Sequence, residues 1–312
     1  MAKAKQVPDA ASSADLYEWA AEVLRLRFDE VVSFGNAALV PWNVKAVHDI
    51  RVAIRRFRSA MRDFVEVINE KPLKKVKRDL KKIADALGMV RDRDVAVVAL
   101  EELAAEAEKE SIRKGIEALI NDFRIGRERA YARLAKALAP ETLDELRDSF
   151  SATIENTLRQ HELFSPSDLS EAARGVIEAH LRDLGEHGPA IYDPSDGPRL
   201  HALRIAAKRL RYAIELFEQC WGDEVAGFAK ELATMQSYLG NVHDRDAWTE
   251  ILADHVKYKR NRKDRNVMAA AAWLSSKFAE KRATEYRSAL ELWSEWKDNG
   301  FVERLRVVIS QE

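Results

Sequence analysis

The chain has 312 residues, 46% hydrophobic and 33% charged, with a formal net charge of −1. That length holds two ordinary domains or one domain of two packed halves. With 12 glycines and 8 prolines a turn-rich β fold is disfavoured, and the single cysteine, Cys220, excludes an internal disulfide and suits a reducing compartment. No run of about 18 apolar residues and no signal-peptide core is present, so a soluble, cytoplasmic protein without a membrane span is expected.

Apolar spacing is helical from end to end, and no alternating strand pattern competes with it. After a flexible tail over 1–13, the spacing predicts helices over 14–34, 44–69, 72–87, 92–109, 112–138 and 141–162. A second series follows over 168–186, 198–220, 223–239, 244–258, 264–298 and 301–310. Breaks are expected at Pro41, Pro72, Pro140, Pro166 and the loop from Gly188-Pro189 to Gly197-Pro198. Gly88 and Gly240 read as helix ends, with Asp92 and Asp244 as caps of the helices that follow. The boundary at Ser165-Pro166-Ser167-Asp168, where Ser167 or Asp168 would cap, divides the chain into two all-helical halves, 14–165 and 166–312.

The halves share two phrases. His48-Asp49-Ile50-Arg51-Val52-Ala53-Ile54-Arg55-Arg56-Phe57-Arg58 recurs 153 residues later as His201-Ala202-Leu203-Arg204-Ile205-Ala206-Ala207-Lys208-Arg209-Leu210-Arg211. Leu87-Gly88-Met89-Val90-Arg91-Asp92-Arg93-Asp94 recurs as Leu239-Gly240-Asn241-Val242-His243-Asp244-Arg245-Asp246. Repeated apolar residues alone would indicate a repeated fold. A repeated His with its cations indicates a repeated anion-facing surface.

At 100° per residue, His48, Arg51, Arg55 and Arg58 fall within about 80° of one another, and Arg62 continues the strip. Ile50, Ile54, Phe57, Met61 and Phe64 form the adjoining apolar face. His201, Arg204, Lys208 and Arg211 repeat the strip beside Leu203, Leu210, Ile214 and Phe217. Arg56 and Arg209 lie on another face and are expected to be more exposed. In the next helix Leu73, Val76, Leu80, Ile83 and Leu87 make an apolar seam, while Lys74, Arg78 and Lys81 share one basic face. The second half keeps only Lys230 there.

Net charge hides this segregation: Lys45 to Arg93 holds 15 Lys/Arg against 7 Asp/Glu, and Lys257 to Arg265 holds 6 against 1. Parallel cations repel unless an anion or carboxylates neutralise them, and acidic residues are nearly absent from both strips. Arginine offers forked donation to phosphate and lysine a mobile point charge, so a mixed strip suits a flexible chain of phosphates. Histidine at its head donates best when protonated.

At these residues the sequence resembles the CHAD family. His-x-x-Arg-Val-x-x-Arg-Arg-x-Arg around His48 matches the family's signature helix, with a second copy at His201. The phrase at Leu87 matches another hallmark, with His243 replacing the Arg in its repeat. The resemblance spans roughly 14–312 and implies an all-α fold of two helical bundles related by pseudo-twofold symmetry, with a basic groove or pore where they meet. It further implies binding of long-chain inorganic polyphosphate without catalysis, by a stand-alone member lacking the CYTH triphosphate domain. Residence at polyphosphate or polyhydroxyalkanoate granules is a property of some relatives. On this reading the phosphate-binding residues are His48, Arg51, Arg55, Arg58, Arg62, Lys74, Arg78, Lys81, His201, Arg204, Lys208 and Arg211, with no catalytic residue, cofactor or metal.

Two alternatives stand beside it. A metal-dependent phosphohydrolase could use the pairs His48-Asp49 and His243-Asp244, although Ala202 breaks the pair after His201. A nucleic-acid binder could use the same cations, although the strips carry little aromatic content for base stacking and no helix-turn-helix or zinc pattern.

Overall fold

The computed structural model describes residues 7, 16–40, 42–65, 70–161, 169–257 and 264–311. Nearly all of the 1–13 tail, the candidate caps Ser167 and Asp168, and the cations from Lys259 to Lys263 lie outside them. Among the described residues there are ten α-helices and no strand: α1 (Leu16–Ala38), α2 (Val44–Asp63), α3 (Glu70–Glu106), α4 (Glu110–Ala137), α5 (Pro140–His161), α6 (Leu169–His187), α7 (Gly197–Phe217), α8 (Asp223–Lys257), α9 (Arg265–Asp298) and α10 (Phe301–Ser310). Tight 3-10 turns occupy Gly188–Tyr192 and Glu218–Cys220. The fold class is all-α.

Two compact units interleave along the chain. The first unites Met1–Asp92, Arg127–Ile177 and Tyr212–Asp223; the second unites Arg93–Gly126, Glu178–Arg211 and Glu224–Glu312. These units do not coincide with the sequence halves 14–165 and 166–312, because most boundaries between them fall inside long helices.

In the first unit, α2 starts where the Asn43 side chain accepts from the Ala46 amide at 3.0 Å, and it ends where the Phe64 amide bonds the Ala60 carbonyl. Ile50, Ile54, Phe57 and Met61 recur at helical spacing and are essentially fully buried. Burial of each such side chain stabilises the fold by about 1.5–3 kcal/mol. The α3 seam Leu73, Val76, Leu80, Ile83 and Leu87 is buried in the same core, as expected, and Val90 extends it. Phe28, Phe57 and Phe150 cluster with ring centroids 4.4–5.5 Å apart, and Trp19 stacks on Phe217 at 5.6 Å. Phe217, at the end of α7, therefore belongs to a core whose other members lie mostly before residue 174.

The second unit has its own core. Leu100, Leu103, Ile116, Leu119, Val267, Leu274 and Phe278 join α3, α4 and α9 there. Gly115 lets α4 approach the α9 backbone: a Cβ at that position would stand 2.1 Å from the Asn266 carbonyl oxygen. Gly300, at φ +63°, makes the turn from α9 to α10, where Phe301 stacks on Trp296 at 4.3 Å. Arg282 of α9 bonds both carboxylate oxygens of Asp246 and the Pro194 carbonyl, tying the segment before α7 to α8 and α9.

One sequence expectation fails twice in the same way. Gly88 and Gly240 do not end helices, and Asp92 and Asp244 are not caps; α3 and α8 run straight through both phrases. A glycine inside a helix costs about 1 kcal/mol relative to alanine. The apolar seam outweighs that cost, since Leu87 and Val90, and likewise Leu239 and Val242, are buried on either side of the glycine.

Candidate functional site

In each unit the two repeated phrases meet, and the glycine is the meeting point. In the first unit Arg51 of α2 lies across α3 at Gly88, its Nη1 3.0 Å from where a Cβ would stand. The same Nη1 is 3.6 Å from the Asp92 carboxylate. In the second unit Arg204 of α7 lies across α8 at Gly240, its Nε 3.3 Å from the corresponding Cβ position. The bare helix surface at each glycine gives the guanidinium a flat seat beside the core.

His48 and His201 are half-buried at the heads of their strips. Burial is the main cause that lowers the His48 pKa below the ordinary histidine value; Arg91 and Arg55 add to it, and Asp49 opposes. The His201 pKa is lowered first by burial and then by His243, Arg204 and Lys208. The His201 and His243 rings lie 4.4 Å apart. Each strip thus holds its histidine toward the neutral form.

The other strip residues divide by exposure. Arg55 and Lys208 are half-buried, whereas Arg58 is exposed. Arg62 turns back to its own helix, donating to Ser59 Oγ at 2.6 Å and to Asp63 at 3.0 Å. Arg211 donates to Gln236 Oε1 at 3.2 Å, and Gln236 in turn donates to the Ala207 and Leu232 carbonyls. Lys74, Arg78 and Lys81 are all exposed on α3, with Arg78 Nε 3.8 Å from Asp79.

Arg56 and Arg209 depart from expectation. Neither is exposed; both are half-buried, and Arg209 pairs with Asp183 of α6 at 3.2 Å.

Arg91, His243 and Gln236 are the site residues that the sequence reading left out. Arg91 and His243 stand in the repeated Leu-Gly phrase, and the signal that would have placed them was the apolar spacing Leu80, Ile83, Leu87, Val90. That spacing continues unbroken across Gly88 and turns the phrase toward α2. Among the described residues, no group of three or more His, Cys, Asp or Glu side chains is placed to hold a metal ion. No described helix is long and apolar enough to cross a membrane.

The family model for the CHAD domain matches residues 22–253, a span that includes both strips and both Leu-Gly phrases. The chain belongs to the CHAD domain family. A Mycobacterium tuberculosis protein, Rv2226, is 30% identical over 207 residues, covering 64% of this chain and 38% of its own length. This CHAD chain therefore matches well under half of that relative. The crystal structure of the CHAD domain from the plant Ricinus communis superimposes with a TM-score of 0.76 at 21% identity, over 92% of this chain and 95% of the plant chain. PptA from Streptomyces chartreusis superimposes at 0.70 with 14% identity, over 90% of this chain and all of PptA. At such identities the likeness is one of fold.

Proposed function

We propose that this CHAD protein binds long-chain inorganic polyphosphate through its two His/Arg/Lys strips and performs no chemistry on it. The observation that carries the reading is the twice-built seat, in which an Arg from one helix is laid across a glycine of the next, one turn along its own helix from a half-buried His. Guanidinium groups fixed against a helix surface lose little further rotamer freedom when a phosphate arrives. The exposed cations Arg58, Lys74, Arg78 and Lys81 add a field that attracts a polyanion without fixing its register. The same reading takes the protein to cytoplasmic polyphosphate or polyhydroxyalkanoate granules. Imaging in cells with and without polyphosphate distinguishes recruitment by the anion from attachment to another granule component.

Neutralising Arg51, Arg55, Arg204 and Lys208 together, each to Gln, should weaken polyphosphate binding by at least about 100-fold while helical content persists, because each charged hydrogen bond lost is worth about 1.5–3 kcal/mol. A folded quadruple variant with parental affinity would overturn the site assignment. Competition by single-stranded DNA at one fixed salt concentration separates this reading from nucleic-acid binding. Phosphate release on prolonged incubation would instead point to hydrolysis.

A further inference from the structure

The two seats differ at two corresponding places beside the histidine. The first has Arg91 in the Leu-Gly phrase, a permanent cation, and Asp49 beside its histidine. The second has His243 in place of Arg91 and Ala202 in place of Asp49. His243 comes from α8 and brings its ring 4.4 Å from that of His201, with the planes at 41°. His201 Nδ1 is buried and has no hydrogen-bond partner among the described residues. The groups acting on His201 are Arg204 and Lys208 from its own helix and His243 from α8, and all of them disfavour a proton there.

We propose that His201 and His243 together form a proton-gated phosphate seat, with His243 a further phosphate-binding residue, and that the second unit carries most of the pH response of polyanion binding. The inference rests on the polyphosphate reading and deepens it. A neutral imidazole offers a phosphate one donor at most, and the permanent charges acting on His201 are Arg204 and Lys208. A phosphate placed against the pair reverses the local field. Each ring then takes a proton from solvent and can donate from both nitrogens, while the anion screens the two imidazolium groups from each other. In the first unit the corresponding contact is charged at every physiological pH, and only His48 titrates. A pair of histidines therefore replaces a permanent cation with a conditional one, at the place where the permanent cation would otherwise have repelled His201.

The test uses the full chain and size-fractionated long-chain inorganic polyphosphate, whose interior phosphates do not titrate near neutrality. Affinity is measured from pH 8 to pH 6, and proton uptake is read by calorimetry in two buffers of different ionisation heat. The parent should gain affinity as pH falls, each extra proton taken up steepening the dependence by as much as tenfold per pH unit. H243R should bind more tightly than the parent at pH 8 and lose about tenfold of the gain between pH 8 and 6. H243Q should lose the same gain without the improvement at pH 8, and R91H should add to the gain. Parental pH slope and proton uptake in both folded His243 variants would overturn the proton-gated seat while leaving polyphosphate binding standing. A parent that fails to bind polyphosphate even at pH 6 would overturn both.

Discussion

Alanine at Gly88 should separate stability from binding. An interior helical alanine is favoured over glycine by about 1 kcal/mol. Its Cβ would stand 3.0 Å from Arg51 Nη1, against an ordinary contact of 3.4 Å or more, so the guanidinium must withdraw by about 0.4 Å. Arg51 is a third exposed and its ion pair with Asp92 is long, at 3.6 Å, so the withdrawal forfeits well under about 1 kcal/mol of stability. The folded state should therefore be unchanged or stabilised by as much as about 1 kcal/mol. Polyphosphate affinity should nonetheless fall about three- to tenfold, because the displaced guanidinium no longer meets phosphate beside His48. Thermal unfolding and a polyphosphate titration read the two quantities separately. In an R51A background the same glycine change should cost no affinity, which makes a double-mutant cycle the decisive form of the assay. Gly115→Ala is the contrast: the same propensity gain is available, but the obstacle is the Asn266 backbone at 2.1 Å, and stability should drop by about 2 kcal/mol or more. If Gly88→Ala binds polyphosphate like the parent, or if its loss persists without Arg51, the glycine is not the seat of a ligand-binding arginine.

Two further outcomes follow from the same geometry. Neutralising the exposed Lys74, Arg78 and Lys81 should reduce both affinity and its salt dependence more than neutralising Lys230, since counterion release scales with the charges engaged; equal salt slopes would contradict a field weighted toward the first strip. The ligand-free protein should lose stability as pH falls through about 6.5 toward the lowered folded values of His48 and His201, because the unfolded chain binds more protons there; H48Q/H201Q should flatten that dependence in thermal unfolding, and an unaltered profile would assign it to other groups.

Much of this was legible in the sequence, and the failures share a cause. The strips His48–Arg58 and His201–Arg211, the apolar seam from Leu73 to Leu87, and the all-helical class follow from spacing within one helix, which 3.6-residue periodicity reports directly. Gly88 and Gly240 were misread because a glycine that ends a helix and one that seats a crossing side chain look alike until the partner helix is known. Arg209 pairs with Asp183 of a different helix, a contact that spacing within one helix does not report. Arg62 aligned with the strip yet spends its donors on Ser59 and Asp63, a local competition that a helical wheel does not weigh. His243 was visible as a substitution in a repeated phrase, but its ring contact with His201 required α7 and α8 to be laid side by side.

The interleaving of the two units also sets an order on biosynthesis. The first unit takes its last segment from Tyr212–Asp223, so Trp19, made near the start of translation, waits roughly 200 residues for the Phe217 ring that stacks on it. Until residue 223 has left the ribosome, the nascent chain holds an incomplete aromatic core, and closing so long a loop is slow compared with helix formation. During that interval both basic strips have emerged before the first core is sealed. On the proposed reading, a polyanion present during synthesis would meet these cations on a partly folded chain, and one that bound the native seats more tightly would draw folding forward by mass action.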